Sequence, residues 1–182
     1  MVNKKTKQLD HKAKVRRIPE FKGVVFWDIT PLLKDKDAFH QSIKQIADHY
    51  RGKSIDAVVS NEARGFIVGA TVAYELGVGF IPIRKKGKLP CKCVDLTYDK
   101  EYESDTIQIH VDALKKGENV LLIDDLLATG GTAKANIELV EKLGGNIVGL
   151  GFLIELGYLG GRKLFGSKYD LYSVIELKTT NG

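Results

Sequence analysis

Two adjacent carboxylates, Asp124 and Asp125, stand between an apolar run, Val120-Leu121-Leu122-Ile123, and a turn of small residues, Ala128-Thr129-Gly130-Gly131-Thr132. Each part has chemistry of its own. Glycines let consecutive backbone N–H groups converge on an anion, Thr129 and Thr132 add hydroxyl donors, and a helix beginning after the turn presents its positive end to negative charge. A phosphate belongs there. Carboxylates accept hydrogen bonds from a vicinal diol, so the pair suits the 2- and 3-hydroxyls of a ribose whose 5-phosphate occupies the turn. Neither G-x-x-x-x-G-K-[ST] nor a G-x-G-x-x-G after a strand occurs, which argues against nucleoside triphosphate hydrolysis and dinucleotide binding. The simpler reading, two acids starting a turn and capping a helix, leaves the strand and the phosphate turn around them unexplained.

Other reactive side chains carry less. His11, His40, His49 and His110 show no paired metal-ligand spacing and are assigned no chemistry. Cys91 and Cys93, with one residue between them, can build neither a disulfide framework nor a four-cysteine zinc site, and are read as bystanders in a reducing cytoplasm.

The elements around these residues alternate. Asp35 is placed as the N-cap of a helix carrying Phe39, Ile43, Ile46, Ala47 and Tyr50 at helical spacing as far as Gly52. A strand at 55–59, a helix at 65–76 closed by Gly77, and strands at 80–83 and 120–123 follow. A helix at 133–143 stopped by Gly144 and a strand at 147–154 complete the series. Alternating β and α units predict an α/β fold: a twisted, mainly parallel sheet flanked by helices. Between 84 and 111 the texture changes. Val94, Leu96 and Tyr98 alternate with polar residues, as do Ile107, Ile109 and Val111, around a charged turn at 99–105. This is a two-stranded ribbon, and an isolated ribbon is marginally stable, so it is expected to be mobile unless a ligand or partner holds it, and to serve as a lid.

A chain of 182 residues with 43% hydrophobic and 28% charged side chains has the size and composition of one globular domain. It has no apolar run long enough for a membrane span and no signal-peptide core at the lysine-rich N-terminus. The net charge of +5 is local. Of 28 basic and 23 acidic residues, seven and one fall in residues 1–17, leaving 21 and 22 in the rest. Residues 1–17 are read as a solvated basic tail and 18–182 as one domain; without an aromatic side chain for base stacking the tail gives no reason to expect a nucleic-acid partner.

Further stretches define a resemblance. These are Phe26-Trp27-Asp28-Ile29-Thr30-Pro31-Leu32-Leu33, Glu62-Ala63-Arg64-Gly65-Phe66, Ile83-Arg84-Lys85-Lys86-Gly87-Lys88-Leu89-Pro90, residues 98–102, Ile154-Glu155-Leu156 and Leu159-Gly160-Gly161-Arg162. With the carboxylate pair and its turn, they make the chain from about residue 15 onward resemble the type I purine/pyrimidine phosphoribosyltransferases, and within them the adenine-specific branch. The resemblance implies the type I phosphoribosyltransferase fold, with an N-terminal base-binding hood at 18–34 and the flexible ribbon lid at 84–111. It implies transfer of 5-phosphoribosyl from phosphoribosyl pyrophosphate to adenine, giving AMP and pyrophosphate in purine salvage, by a cytoplasmic homodimer.

The family's roles map onto this sequence as follows. Ala128, Thr129, Gly130, Gly131 and Thr132 would hold the 5-phosphate, and Asp124 and Asp125 the ribose hydroxyls. Glu62, Ala63 and Arg64 would meet the pyrophosphate, with Lys85 and Lys88 beside it and Arg84 crossing a dimer interface. Phe26 and Leu126 would sandwich the purine, whose edge backbone groups of Val25 and Trp27 would read. Glu101 and Tyr102 would close over the site, Glu101 near the imidazole side of the base, so Glu101, Arg64 and Lys85 are the implied catalytic residues. Magnesium ion is implied on substrate oxygens and water, with no direct protein ligand.

The ribbon's charges agree with these roles. Residues 84–93 hold five basic and no acidic side chains, whereas 94–105 hold five acidic ones against Lys100 alone. One half suits departing pyrophosphate, the other a sugar developing positive charge. Three positions depart from the family: Trp27 where Arg is frequent, an approach at 20–23 about two residues short, and Glu103 in place of a frequent Gly. The first two touch the base pocket and keep hypoxanthine, guanine or xanthine as alternative bases. A non-catalytic purine or phosphoribosyl pyrophosphate sensor is the other alternative, although 17 residues cannot build a helix-turn-helix.

Overall fold

The computed structural model describes residues 10–21, 24–99 and 104–181. Strands β1 (Arg16–Phe21) and β2 (Val24–Asp28) form an antiparallel hairpin. Helices α1 (Thr30–Lys34) and α2 (Lys36–Tyr50) follow, and Asp35 caps α2 by accepting hydrogen bonds from the N–H groups of Asp37 and Ala38. Next come β3 (Ala57–Asn61), α3 (Arg64–Leu76) and β4 (Gly79–Lys85), then β5 (Cys93–Asp99) and β6 (Ser104–His110). The chain continues through β7 (Asn119–Leu127), α4 (Gly131–Lys142), β8 (Asn146–Leu156) and β9 (Leu171–Leu177).

Seven strands make one sheet in the order β5-β6-β4-β3-β7-β8-β9. The pairs from β4 through β9 are parallel, and β6 joins β4 antiparallel. Apolar side chains fill both faces. One core holds Ile137, Leu139 and Val140 of α4, and the other holds Ile43, Ile46 and Tyr50 of α2 with Val68 and Val72 of α3. The connections from β3 and β7 diverge, one running through α3 to β4 and the other through α4 to β8. Their carboxyl ends therefore border the crevice where open α/β sheets bind ligands.

Three readings of the sequence are corrected. The ribbon is not isolated: β6 hydrogen-bonds to β4 at Arg84–Gln108 and Lys85–Ile107, and Leu96, Ile107 and Ile109 are buried in the core. Period-two alternation identified the apolar face but not the neighbour that covers it. The basic segment does not run as a tail to residue 17, because buried His11 meets Ser42 and Gln45 of α2, Lys14 pairs with Asp35, and β1 starts at Arg16. The strand expected at 120–123 does not stop before the carboxylates: β7 continues to Leu127, and Asp124 and Asp125 within it are buried. The β1–β2 pairing and β9 had no sequence expectation at all. Their pairing partners are distant or irregular, as the bulge between Ile18 and Phe21 illustrates.

Candidate active site

A cleft of about 280 Å³ opens at the carboxyl ends of β3 and β7, walled by residues 61–64 on one side and 124–133 on the other. After Leu127 the chain reverses through Ala128 and Thr129 to Gly130, whose φ of +92° only glycine adopts without strain. Gly130 is the N-cap of α4, so the helix begins with unpaired N–H groups beside the cleft. Ala128, Thr129, Gly130, Gly131 and Thr132 all line it. The arrangement can bind an anion through backbone donors and a helix terminus.

Asp124 and Asp125 lie in the same wall, 8% and 7% exposed. Asp125 N–H donates to Asp124 Oδ1 at 2.9 Å. Burial, then the charge of Asp125, pushes the Asp124 carboxyl well above the ordinary carboxylate range. Burial also raises Asp125, but Arg64 opposes it, with Nε 2.8 Å from Asp125 Oδ2. Both carboxyls are therefore raised, Asp124 the more strongly, while the Arg64 charge favours the ionised form of Asp125. The Arg64–Asp125 contact is an ion pair without an aligned hydrogen bond: buried Asp125 Oδ2 and Arg64 Nη1 each lack a hydrogen-bond partner among the described residues. Two strong groups face the cleft with bonding capacity to spare.

Gly65 makes this approach possible. A Cβ there would lie 2.3 Å from Asp124 Oδ1 and 2.7 Å from Ser60 Oγ, so the start of α3 packs directly against the carboxylate. Arg64 also lies over the Phe26 ring at 4.8 Å from its centroid, which ties the β1–β2 hairpin to the cleft. Leu126 lines the cleft as well. The Trp27 side chain points elsewhere. It is 6% exposed, packed within the core, and is not among the residues lining the cleft.

Glu62 and Ala63 line the cleft, but the Glu62 carboxylate is engaged below it. It receives the Arg84 guanidinium, Nε and Nη2 both at 2.9 Å, and the Lys85 N–H at 2.7 Å. Glu62 thus fixes the end of β4 against the end of β3. Lys85 Nζ pairs with Asp105 at 3.3 Å, and the Lys88 carbonyl accepts from Arg84 Nη1. Lys85, Lys88, Arg84, Val25 and Phe26 are not among the residues lining the cleft wall. The expected closing pair, Glu101 and Tyr102, lies outside the described residues, as does Glu103.

Sequence reasoning missed Asn61, Leu127, Ala133 and Tyr98. Asn61 lines the cleft with a buried Oδ1 that has no hydrogen-bond partner among the described residues; a polar residue closing the apolar run of β3 was the available signal. Tyr98 of β5 lies with its hydroxyl 3.3 Å from Thr132 Oγ1, a contact between ribbon and phosphate turn that no spacing could reveal. No group of three or more His, Cys, Asp or Glu side chains suited to a metal ion occurs among the described residues. No helix among them is long and apolar enough to cross a membrane.

Comparison with known proteins gives consistent matches. Residues 32–180 match the family model described as phosphoribosyl transferase domain. A curated adenine phosphoribosyltransferase of Halothermothrix orenii is 53% identical over 171 residues, covering 92% of this chain and 99% of that protein. The crystal structure of adenine phosphoribosyltransferase from Thermoanaerobacter pseudethanolicus aligns with a TM-score of 0.87 at 48% identity, covering 91% of this chain and 97% of that one. The Saccharomyces cerevisiae adenine phosphoribosyltransferase, solved with an imino-altritol bisphosphate and adenine, aligns with a TM-score of 0.81 at 38% identity. That alignment covers 89% of this chain and 94% of the yeast chain.

Proposed function

The chain belongs to the phosphoribosyl transferase domain family, and from that membership we propose its reaction: transfer of the 5-phosphoribosyl group from phosphoribosyl pyrophosphate to adenine, giving AMP and pyrophosphate. It is a pentosyltransferase of purine salvage. The observation that carries this reading is the buried Asp124–Asp125 pair immediately before a glycine-capped helix start, with Arg64 facing it across the cleft.

The residues divide the substrate between them. The 5-phosphate is held by the amides of residues 128–132 and the hydroxyls of Thr129 and Thr132, and the ribose hydroxyls by Asp124 and Asp125. When the ribose hydroxyls donate to Asp125, Arg64 turns toward the pyrophosphate, its guanidinium already having a donor to spare. Ala63 and the backbone of Glu62 border the leaving group, and Lys85 at the end of β4 and Lys88 beyond it approach it. Adenine stacks between Phe26 and Leu126, its edge read by backbone groups of Val25 and Trp27, and Glu101 with Tyr102 closes the lid. As the bond from the anomeric carbon to pyrophosphate breaks, its electron pair leaves with the phosphate oxygen and positive charge develops on the sugar; N9 of adenine forms the new bond to that carbon, and the proton it loses passes to pyrophosphate or water. Asp125 and Glu101 stabilise that charge while Arg64 and Lys85 stabilise the leaving group.

Magnesium fits the cleft as a substrate-borne ion: the hard oxygens of Asp124 and Asp125 line it, and no group of three or more His, Cys, Asp or Glu side chains suited to a metal ion occurs among the described residues. It would neutralise pyrophosphate charge when bound. We place the enzyme in the cytoplasm and as a homodimer; the exposed Ala63, Ile67, Ala70 and Tyr74 align along one face of α3, Tyr74 at 87% exposure, and suit an interface between copies. The hood at 18–34 and the lid at 84–111 serve one catalytic unit. Incubation with phosphoribosyl pyrophosphate, magnesium and each of adenine, hypoxanthine, guanine and xanthine tests the reading. AMP formation preferred over the other nucleotides supports it, and preference for a 6-oxopurine, or no transfer at all, overturns it.

A further inference from the structure

The phosphate turn has to be held from behind, and the support comes from a segment with no part in the reaction above. Gly161–Leu164 forms a short helical turn after β8. A Cβ added to Gly161 would lie 2.1 Å from the Ala128 carbonyl oxygen and 3.0 Å from the carbonyl carbons of Ala128 and Thr129. Backbone therefore rests on backbone. The contact is reciprocal, because a Cβ on Gly130 would lie 3.2 Å from the Gly161 carbonyl oxygen and from Leu164 Cδ2.

Arg162, next in the chain, fixes where Gly161 sits. Its Nε donates to Glu155 Oε1 at 2.8 Å, its Nη2 to Glu155 Oε2, and its Nη1 to the Leu171 carbonyl at 3.0 Å. Glu155 is 3% exposed and accepts a further hydrogen bond from Ser173 Oγ at 2.8 Å. It pairs in register with Leu127, the last strand residue before the turn. A buried ion pair contributes little net stability compared with packed apolar side chains, but a two-pronged fork fixes direction as well as distance. Here the direction it fixes is that of Gly161 toward the turn.

We propose that Gly161 and Arg162 are positioning residues for the phosphate turn: the Arg162–Glu155 fork seats the Gly161 backbone against Ala128 and Thr129, and this holds the amides of the turn on a sugar 5-phosphate. The inference rests on the proposed function. It predicts an effect confined to one end of the substrate, which loss of fold stability would not produce.

The test measures binding of ribose 5-phosphate by calorimetry, KM for phosphoribosyl pyrophosphate and for adenine, kcat, and the thermal midpoint. Gly161→Ala is compared with Gly79→Ala, where the added Cβ meets nothing closer than 3.9 Å, and Arg162→Lys is compared with Arg162→Ala. Gly161→Ala should weaken ribose 5-phosphate binding and raise KM for phosphoribosyl pyrophosphate by about tenfold or more, within the hundredfold that a misplacement of about 1 Å can cost. The KM for adenine should stay within about twofold, and Gly79→Ala should match the parent protein. Arg162→Lys should recover the midpoint lost in Arg162→Ala but not the affinity, since lysine restores charge without the fork. If Gly161→Ala fails to fold, Arg162→Lys decides by the same binding measurement. Unchanged ribose 5-phosphate binding in either folded variant, whatever happens to the midpoint, overturns the proposal. A folded parent protein that binds no ribose 5-phosphate refutes the underlying functional reading instead.

Discussion

Replacing Asp124 by Asn should stabilise this protein and cripple it. The carboxyl is 8% exposed and crowded by Gly65, Ser60 and Asp125, and burial together with the Asp125 charge raises it well above its ordinary value. A carboxyl raised in the folded state binds more protons there than in the unfolded chain, so stability falls as pH rises from the ordinary value to the folded one. Asn is a neutral copy of the protonated acid, and its Oδ1 still accepts the Asp125 N–H. The gain should therefore be absent near pH 4 and grow by about 1.4 kcal/mol per pH unit above it until the folded pKa is passed. For a chain of this length each kcal/mol moves the thermal midpoint by roughly 2–4 °C. Turnover should fall by about ten- to a hundredfold, the loss expected when a hydrogen bond between a hydroxyl and a charged or proton-sharing acceptor pair is weakened. Thermal melts of both proteins from pH 4 to 8, paired with AMP formation at pH 7.5, check both halves. A destabilised variant at pH 8, or one with full activity, refutes the reasoning.

Arg64→Ala should raise KM for phosphoribosyl pyrophosphate by about one to two powers of ten, because it removes the charged fork beside Asp125; steady-state kinetics showing an unchanged KM would remove Arg64 from the pyrophosphate site. Glu101→Ala should lower kcat by about one to three powers of ten with a smaller effect on phosphoribosyl pyrophosphate affinity, and intact turnover would reduce the lid to a surface hairpin. His11 is held below its ordinary value of 6.5 by burial, so its contribution is present above that pH and lost on acidification. The parent protein should accordingly lose more of its thermal midpoint between pH 7.5 and 5.5 than His11→Ala does, with adenine transfer equal at pH 7.5. Sedimentation should give about twice the 20.1 kDa chain mass, and Tyr74→Glu should shift it to monomer; a parent protein that is already an active monomer would exclude the α3 interface.

The reactive centre was legible in one dimension because its parts are contiguous. A strand, two carboxylates, a glycine turn and a helix start succeed one another from Val120 to Ala133, so local propensity and spacing define the phosphate turn without a fold around it. The caps at Asp35 and Gly77 were legible for the same reason, each acting on neighbours a few residues away. Features made by distant segments were not. Asp124 and Asp125 follow an apolar run in the sequence, and only α3 laid across them at Gly65 makes them a buried pair whose carboxyls are both raised. The same holds for the ribbon, whose stability comes from β4 and the core beneath Ile107 and Ile109, and for Gly161, whose backbone contact with Ala128 exists only once the chain folds it there. Sequence pattern specifies periodicity and short-range geometry; desolvation, charge coupling and backbone contact depend on which surfaces meet, and these are settled by packing between segments far apart in the chain.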